Sequence, residues 1–264
     1  MINGIYFVDN CLLDLSISWE QYLIIINGVL MQINDSTFLV TGGSLGIGKA
    51  TAKLLIEKGG KVAITGRNKS RLEKAAKEIG AFPINADTGK PEDVKRTYDE
   101  FLKEFKKLDC LVNNAGIGGK WNQVFDLDLD DFMKVYSVNV FGAALMAKYA
   151  ANHFKKQNYG NIINISSTAG TKGFANGTVY ASSKFALRGM TQCWQAELRK
   201  YNVRVILVNP SEVLTAFGDD EGKEKKEVSN KLRSFEIAHT IVATLEMDDR
   251  GFIPEVTVWA TNPF

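Results

Sequence analysis

A parallel, doubly wound α/β sheet with helices on both faces is the architecture this 264-residue sequence predicts. Three observations predict it. Short apolar and β-branched runs recur between segments of helical periodicity, the alternation that builds strand–helix–strand units. A glycine cluster follows the first such run and opens a helix. Several runs end in polar or glycine-bearing loops, where the strands of an open sheet deliver ligand-binding residues.

The first strand is Ser36-Thr37-Phe38-Leu39-Val40-Thr41, which stops at Gly42-Gly43 as a buried strand entering a turn does. In Gly42-Gly43-Ser44-Leu45-Gly46-Ile47-Gly48 the glycines let the backbone turn sharply and approach a pyrophosphate. The helix at 49–58 then offers that group unpaired amides and a positive dipole end. Residues 61–65 form a second strand, followed by Gly66-Arg67-Asn68. An acid near this place would hold a ribose 2′-hydroxyl, whereas an arginine accommodates a 2′-phosphate. Arg67 stands here without an acid; the alternative reading is a solvated loop arginine. Ser70 with Glu73 three residues on reads as a capping box. Residues 82–85 form the third strand, ending at Asp87-Thr88, and Pro91 starts the next helix.

The fourth strand, 108–112, closes at Asn113-Asn114-Ala115-Gly116. Residues 130–158 read as one long helix with an apolar stripe of Val138, Phe141, Leu145 and Tyr149. Asn139 lies inside it, with either a hydrogen-bonding duty or a place on a solvated face. Strands at 161–165 and 203–208 flank a helix over 178–200. After Asn209-Pro210 the stretch to Asn230 is almost wholly charged at 219–227, and reads as a mobile solvated loop, with a lid over substrate as the other reading. A last helix over 231–247 and an edge strand over 255–259 complete the chain.

The chemistry concentrates between Ser167 and Lys184. Tyr180 and Lys184 are four apart on the predicted helix, so the phenol and the ammonium lie one turn apart on one face. A nearby cation favours the phenolate, which suits a group that gives and takes a proton near neutrality. Ser167 follows the apolar run at 161–165, so its hydroxyl emerges at that strand's carboxyl end, where ligands bind.

Composition excludes other classes. Hydrophobic residues at 45% and charged residues at 23% describe an ordinary globular core, and the length suits one domain over 31–264. A formal charge of +2 with no aromatic–basic groove gives no case for nucleic acid. Cys11, Cys110 and Cys193 are scattered without metal-like spacing, and the odd count fits a reducing cytoplasm without a disulfide framework; no metal is expected. His153 and His239 read as structural or solvated. Residues 1–30 carry no Lys or Arg, which argues against a secretion signal, and the apolar run at 22–33 is too short to span a bilayer. An over-extended start is the simplest account of this extension, and an adaptor element packing on the domain is the second.

Taken together, Thr41-Gly42-Gly43-Ser44-Leu45-Gly46-Ile47-Gly48, Asn113-Asn114-Ala115-Gly116 and the set Asn139, Ser167, Tyr180, Lys184 resemble the short-chain dehydrogenase/reductase family, in its single-domain branch. The resemblance runs from about Ile33 onward and implies a Rossmann fold and hydride transfer between a nicotinamide dinucleotide and a carbonyl or secondary alcohol. It further implies Gly42, Ser44, Gly46, Ile47, Gly48, Asp87, Asn113, Ala115, Gly116, Pro210, Val213 and Thr215 as cofactor-binding positions, joined by Arg67, Tyr180 and Lys184. Asp87 would contact adenine. Tyr180 would donate the proton, Ser167 would polarise the carbonyl, Lys184 would hold the ribose and lower the tyrosine's pKa, and Asn139 would hold a water. The expected cofactor is NADP, with NAD possible. The expected substrate is a ketone or a 3-oxoacyl thioester, the expected assembly a homotetramer or dimer, and the rival reading a non-catalytic NADP-binding redox sensor. Ser211 departs from the family pattern, which has glycine there; if that position needs a glycine-only backbone, cofactor geometry shifts.

Overall fold

The structure is a computed structural model that describes residues 32–218, 223 and 225–262; the extension over 1–30 and part of the charged stretch lie outside the described residues. Seven strands form one sheet: β1 (Thr37–Val40), β2 (Lys61–Gly66), β3 (Phe82–Asn85), β4 (Cys110–Asn113), β5 (Gly160–Ile165), β6 (Val203–Pro210) and, near the C-terminus, the edge strand Glu255–Val258. Every pairing is parallel, and the order is β3-β2-β1-β4-β5-β6 with the edge strand beside β6. Between β1 and β4 the order reverses, which opens a crevice at the carboxyl ends of the strands. A separate parallel pair, β7 (Val213–Leu214) with β8 (Leu232–Arg233), ties together the two ends of the stretch after β6. The edge strand is therefore β9.

The side-chain period of two divides the core between the faces. Phe38, Val40, Val62, Ile64, Val112 and Ile163 point to one face, and Leu39, Ala63, Leu111 and Ile162 to the other. The first face is covered by α1 (Gly46–Glu57), α2 (Lys69–Ile79) and α7 (Ser234–Leu245), through Leu55, Leu72 and Ile241. The second is covered by α3 (Pro91–Phe105), α5 (Ala143–Gln157) and α6 (Thr178–Leu198), through Phe101, Met146, Phe154 and the partly buried Trp194. Burying strands on both faces is what allows their near-continuous apolar runs.

Three local expectations change. The cap of α2 is Asn68 rather than Ser70: the Asn68 side chain accepts from Arg71 N, and the helix already runs at Lys69. The long helix is three segments, α4 (Leu129–Tyr136), a π-helical stretch (Ser137–Gly142) and α5, and the wide turn carries Asn139. Such insertions bulge a helix at a functional position, where periodicity alone shows only an unbroken stripe. The last helix begins at Ser234, because the residues before it are drawn into β8.

Candidate active site

The glycine loop is held by its neighbours. Gly42 has a φ of +65°, which glycine alone adopts without strain, and a Cβ there would lie 3.0 Å from Ala115 Cα. The Thr41 hydroxyl accepts from Asn114 N and Ala115 N, each at 3.0 Å. Asn114 Nδ2 donates to the Thr41 and Gly42 carbonyls at 2.9 and 3.1 Å. The loop after β1 is thus stitched to the loop after β4, and Asn114 is a positioning residue that sequence reasoning named only as part of a motif. No side chain caps the amino end of α1, whose N-cap is Leu45.

Two confluent cavities open over this floor. The first, 790 Å³, is lined by Gly42, Ser44, Arg67, Arg71, Asp87, Ala115 and Gly116 among others. Arg67 follows β2, where Asn85 Nδ2 donates to the Gly66 and Arg67 carbonyls and fixes the turn. Asp87 accepts from Gly89 N at 2.9 Å. The second cavity, 960 Å³, takes in Gly46, Ile47, Ser167, Tyr180, Lys184, Pro210, Val213 and Thr215. Gly42, Leu45, Ala115, Gly116, Ala216 and Phe217 border both.

Of the residues singled out from sequence, Gly48, Asn113 and Asn139 line neither cavity. Gly48 packs beneath the Gly42 carbonyl. The buried Asn113 side chain donates to the Ala143 carbonyl and to Asn164 Oδ1, tying β4 to α5 and β5. Asn139, 1% exposed, accepts from Ile117 N and donates to the Ile117 carbonyl, both at 2.9 Å, and to Ser183 Oγ at 3.0 Å. It fastens the segment after β4 to α6 one residue before Lys184. Ser211 lies outside the left-handed region and donates its amide to the Val258 carbonyl, so the missing glycine imposes no backbone strain.

Ser167 begins a turn and its hydroxyl accepts from Ala169 N at 3.1 Å. Burial raises the Tyr180 phenol above its ordinary range, and a hydrogen bond with Ser167 opposes that rise. The expected depression by Lys184 is not what the chain's own groups produce, because the Lys184 ammonium is aimed elsewhere. Its Nζ donates to the Ile165 carbonyl at 2.8 Å and stands 5.8 Å from the Tyr180 ring centroid. Burial lowers the lysine itself to about 8. A Cβ on Gly116 would lie 3.4 Å from both Lys184 Nζ and Asn139 Oδ1, so the two groups face one small gap. Sequence reasoning missed Trp121, Phe174 and Phe217, whose rings gather round Tyr180.

Comparison with known proteins identifies the family. The family model for short chain dehydrogenase matches residues 36–226. An uncharacterized oxidoreductase of Bacillus subtilis is 32% identical over 72% of the chain, a match spanning 55% of that relative's length. An NADP-dependent 3-hydroxy acid dehydrogenase of Schizosaccharomyces pombe is 30% identical, with 88% of this chain and 95% of the relative covered. The crystal structure of a 3-ketoacyl-(acyl-carrier-protein) reductase from Brucella melitensis complexed with NADH superimposes with a TM-score of 0.79, at 27% identity over 88% of this chain and all of that one. With a Rossmann-type sheet, a glycine loop at its switch point and a family match across most of its length, the chain belongs to the short-chain dehydrogenase/reductase family of NAD(P)-dependent oxidoreductases.

Proposed function

We propose that the protein is an NADPH-preferring carbonyl reductase or secondary-alcohol dehydrogenase, acting on a ketone or a 3-oxoacyl thioester. The observation that carries the reading is the meeting of Ser167, Tyr180 and Lys184 in the cavity that adjoins the dinucleotide cleft. The nicotinamide cofactor supplies the hydride. Tyr180 holds the proton destined for the carbonyl oxygen, and the buried phenol, raised above its ordinary range, keeps that proton at neutral pH. Ser167, whose hydroxyl opposes the rise of the phenol's pKa, orients the same oxygen. Lys184 binds the ribose side of the dinucleotide and feeds protons toward Tyr180. The gap beside Gly116, between Lys184 Nζ and Asn139 Oδ1, suits the water that would join them to solvent.

Arg67 supports the preference for NADPH, because it borders the first cavity just past β2 and neither Gly66 nor Asn68 beside it carries the carboxylate that would repel a 2′-phosphate. A homotetramer or dimer is supported by the apolar residues left uncovered on α4–α5 and α6, Leu129, Met133, Phe141 and Phe185. Free Cys110 and Cys193, the described cysteines, suit a cytoplasmic setting. The test is a panel of ketones, acyl thioesters and secondary alcohols followed by nicotinamide absorbance. Turnover that disappears in Tyr180→Phe supports the proposal; tight dinucleotide binding with no turnover of any of them assigns the protein to sensing instead.

A further inference from the structure

Four large aromatic side chains stand exposed around one hydroxyl. Trp121 is 49% exposed, Phe174 50%, Phe217 41% and Trp259 67%, and all four border the cavity that holds Tyr180. Three of them, with Tyr180, form a continuous row: Phe174 to Trp121 at 5.9 Å between centroids, Trp121 to Tyr180 edge-on at 5.7 Å, and Tyr180 to Phe217 at 5.5 Å. They come from different segments, after β4, after β5 and after β6, so no local periodicity brings them together.

The chain makes room for these rings. A Cβ on Gly118 would lie 3.2 Å from the Trp121 ring and 3.3 Å from the Phe217 ring. A Cβ on Gly177, the residue before α6, would stand 2.5 Å from the Phe174 ring. Both positions are open because they lack a side chain, and the rings pack down onto the bare backbone. Half-exposed aromatics seated in this way beside a proton donor are a surface for a flat apolar ligand.

Resting on the carbonyl-reductase reading, we propose that the substrate is a ketone carried on a flat ring system, aryl or fused to an aryl ring, and that Trp121, Phe174 and Phe217 determine this specificity. A flexible acyl chain gains the same apolar cover and loses more conformational freedom on binding, so ring faces favour a rigid partner. Lys172 and Lys225 also border the cavity, which makes a substrate with an anionic tail the competing class to be measured against.

The experiment compares 1-tetralone, 2-decanone with the same number of carbons, and acetoacetyl-coenzyme A, with NADPH oxidation and with calorimetric binding of 1-tetralone in the presence of NADP⁺. The expected kcat/KM for 1-tetralone exceeds that for 2-decanone by at least ~10-fold, and Trp121→Leu, which keeps apolar bulk and removes the ring, narrows the ratio to within about threefold. Trp121→Phe should restore most of it. Saturable 1-tetralone binding weakened by Trp121→Leu, without turnover of any ketone, would uphold ring recognition and sink the reductase reading. Equal or faster turnover of 2-decanone or acetoacetyl-coenzyme A would overturn the ring proposal and leave the reductase reading standing. Neither binding nor turnover would overturn both.

Discussion

Lys184 Nζ donates to the Ile165 carbonyl at 2.8 Å, and that single bond is the partner the described residues give a lysine only 4% exposed. Burial has lowered its pKa from 10.5 to about 8, which corresponds to about 3 kcal/mol against the folded state at neutral pH, offset in part by roughly 1 kcal/mol from the hydrogen bond. Lys184→Met should therefore be more stable than the parent by about 1–3 kcal/mol at pH 7 while losing activity. The sign follows from protonation: the penalty is full below about 8, where the folded chain must hold the buried charge, and vanishes above 10.5. Urea melts of both proteins from pH 7 to 10 should show the gap closing as pH rises.

Tyr180→Phe keeps the ring between Trp121 and Phe217 and removes only the hydroxyl. We expect kcat to fall at least ~100-fold. The NADPH dissociation constant should stay within about threefold, and the melting temperature should be nearly unchanged. A tyrosine with a packing role alone would retain turnover per folded molecule, so rate, binding and melting measured on one preparation separate the two.

Arg67→Ala should weaken NADPH binding by ~10- to 100-fold, the worth of a lost charge-assisted hydrogen bond to a phosphate, with little effect on NADH. Titration of both dinucleotides checks it. Unchanged preference would return Arg67 to the solvated loop.

His153 Nε2 accepts from Leu108 N at 3.1 Å, which only the neutral imidazole can do. Burial lowers its pKa below the ordinary 6.5. Its contribution to stability is accordingly complete above pH 6.5 and lost as pH falls through the lowered folded value. His153→Leu should cost about 1 kcal/mol at pH 7.5 and flatten the acid-side decline expected of the parent between pH 7 and 5.

The elements readable in the sequence were those whose cause is local. Phe38 to Val40 followed by Gly42 announces a strand and a tight turn within a few residues, and Tyr180 and Lys184 share a helix face by spacing alone. What stayed hidden depends on neighbours distant in the chain. The π-helical turn at Asn139 answers to Ile117 and Ser183, and Asn113 turns its side chain to Ala143 and Asn164 rather than to the cleft. Ser70 offers a plausible cap, yet Asn68 is better placed because the turn after β2 already presents its oxygen to Arg71 N. The row of rings joins Tyr180 to residues 121, 174 and 217, and each of Trp121, Phe174 and Phe217 taken singly looks like an ordinary apolar residue in a loop.

Gly42, Ala115 and Gly116 border both cavities, so the stitched loops after β1 and β4 make one wall that serves each. Two ligands leaning on the same wall do not bind independently, and each alters the affinity of the other by the same factor. For NADPH and a ketone substrate, prior binding of either one is then expected to shift the dissociation constant of the other by an equal factor. Double-reciprocal plots should intersect, and NADP⁺ should compete with NADPH and not with the ketone.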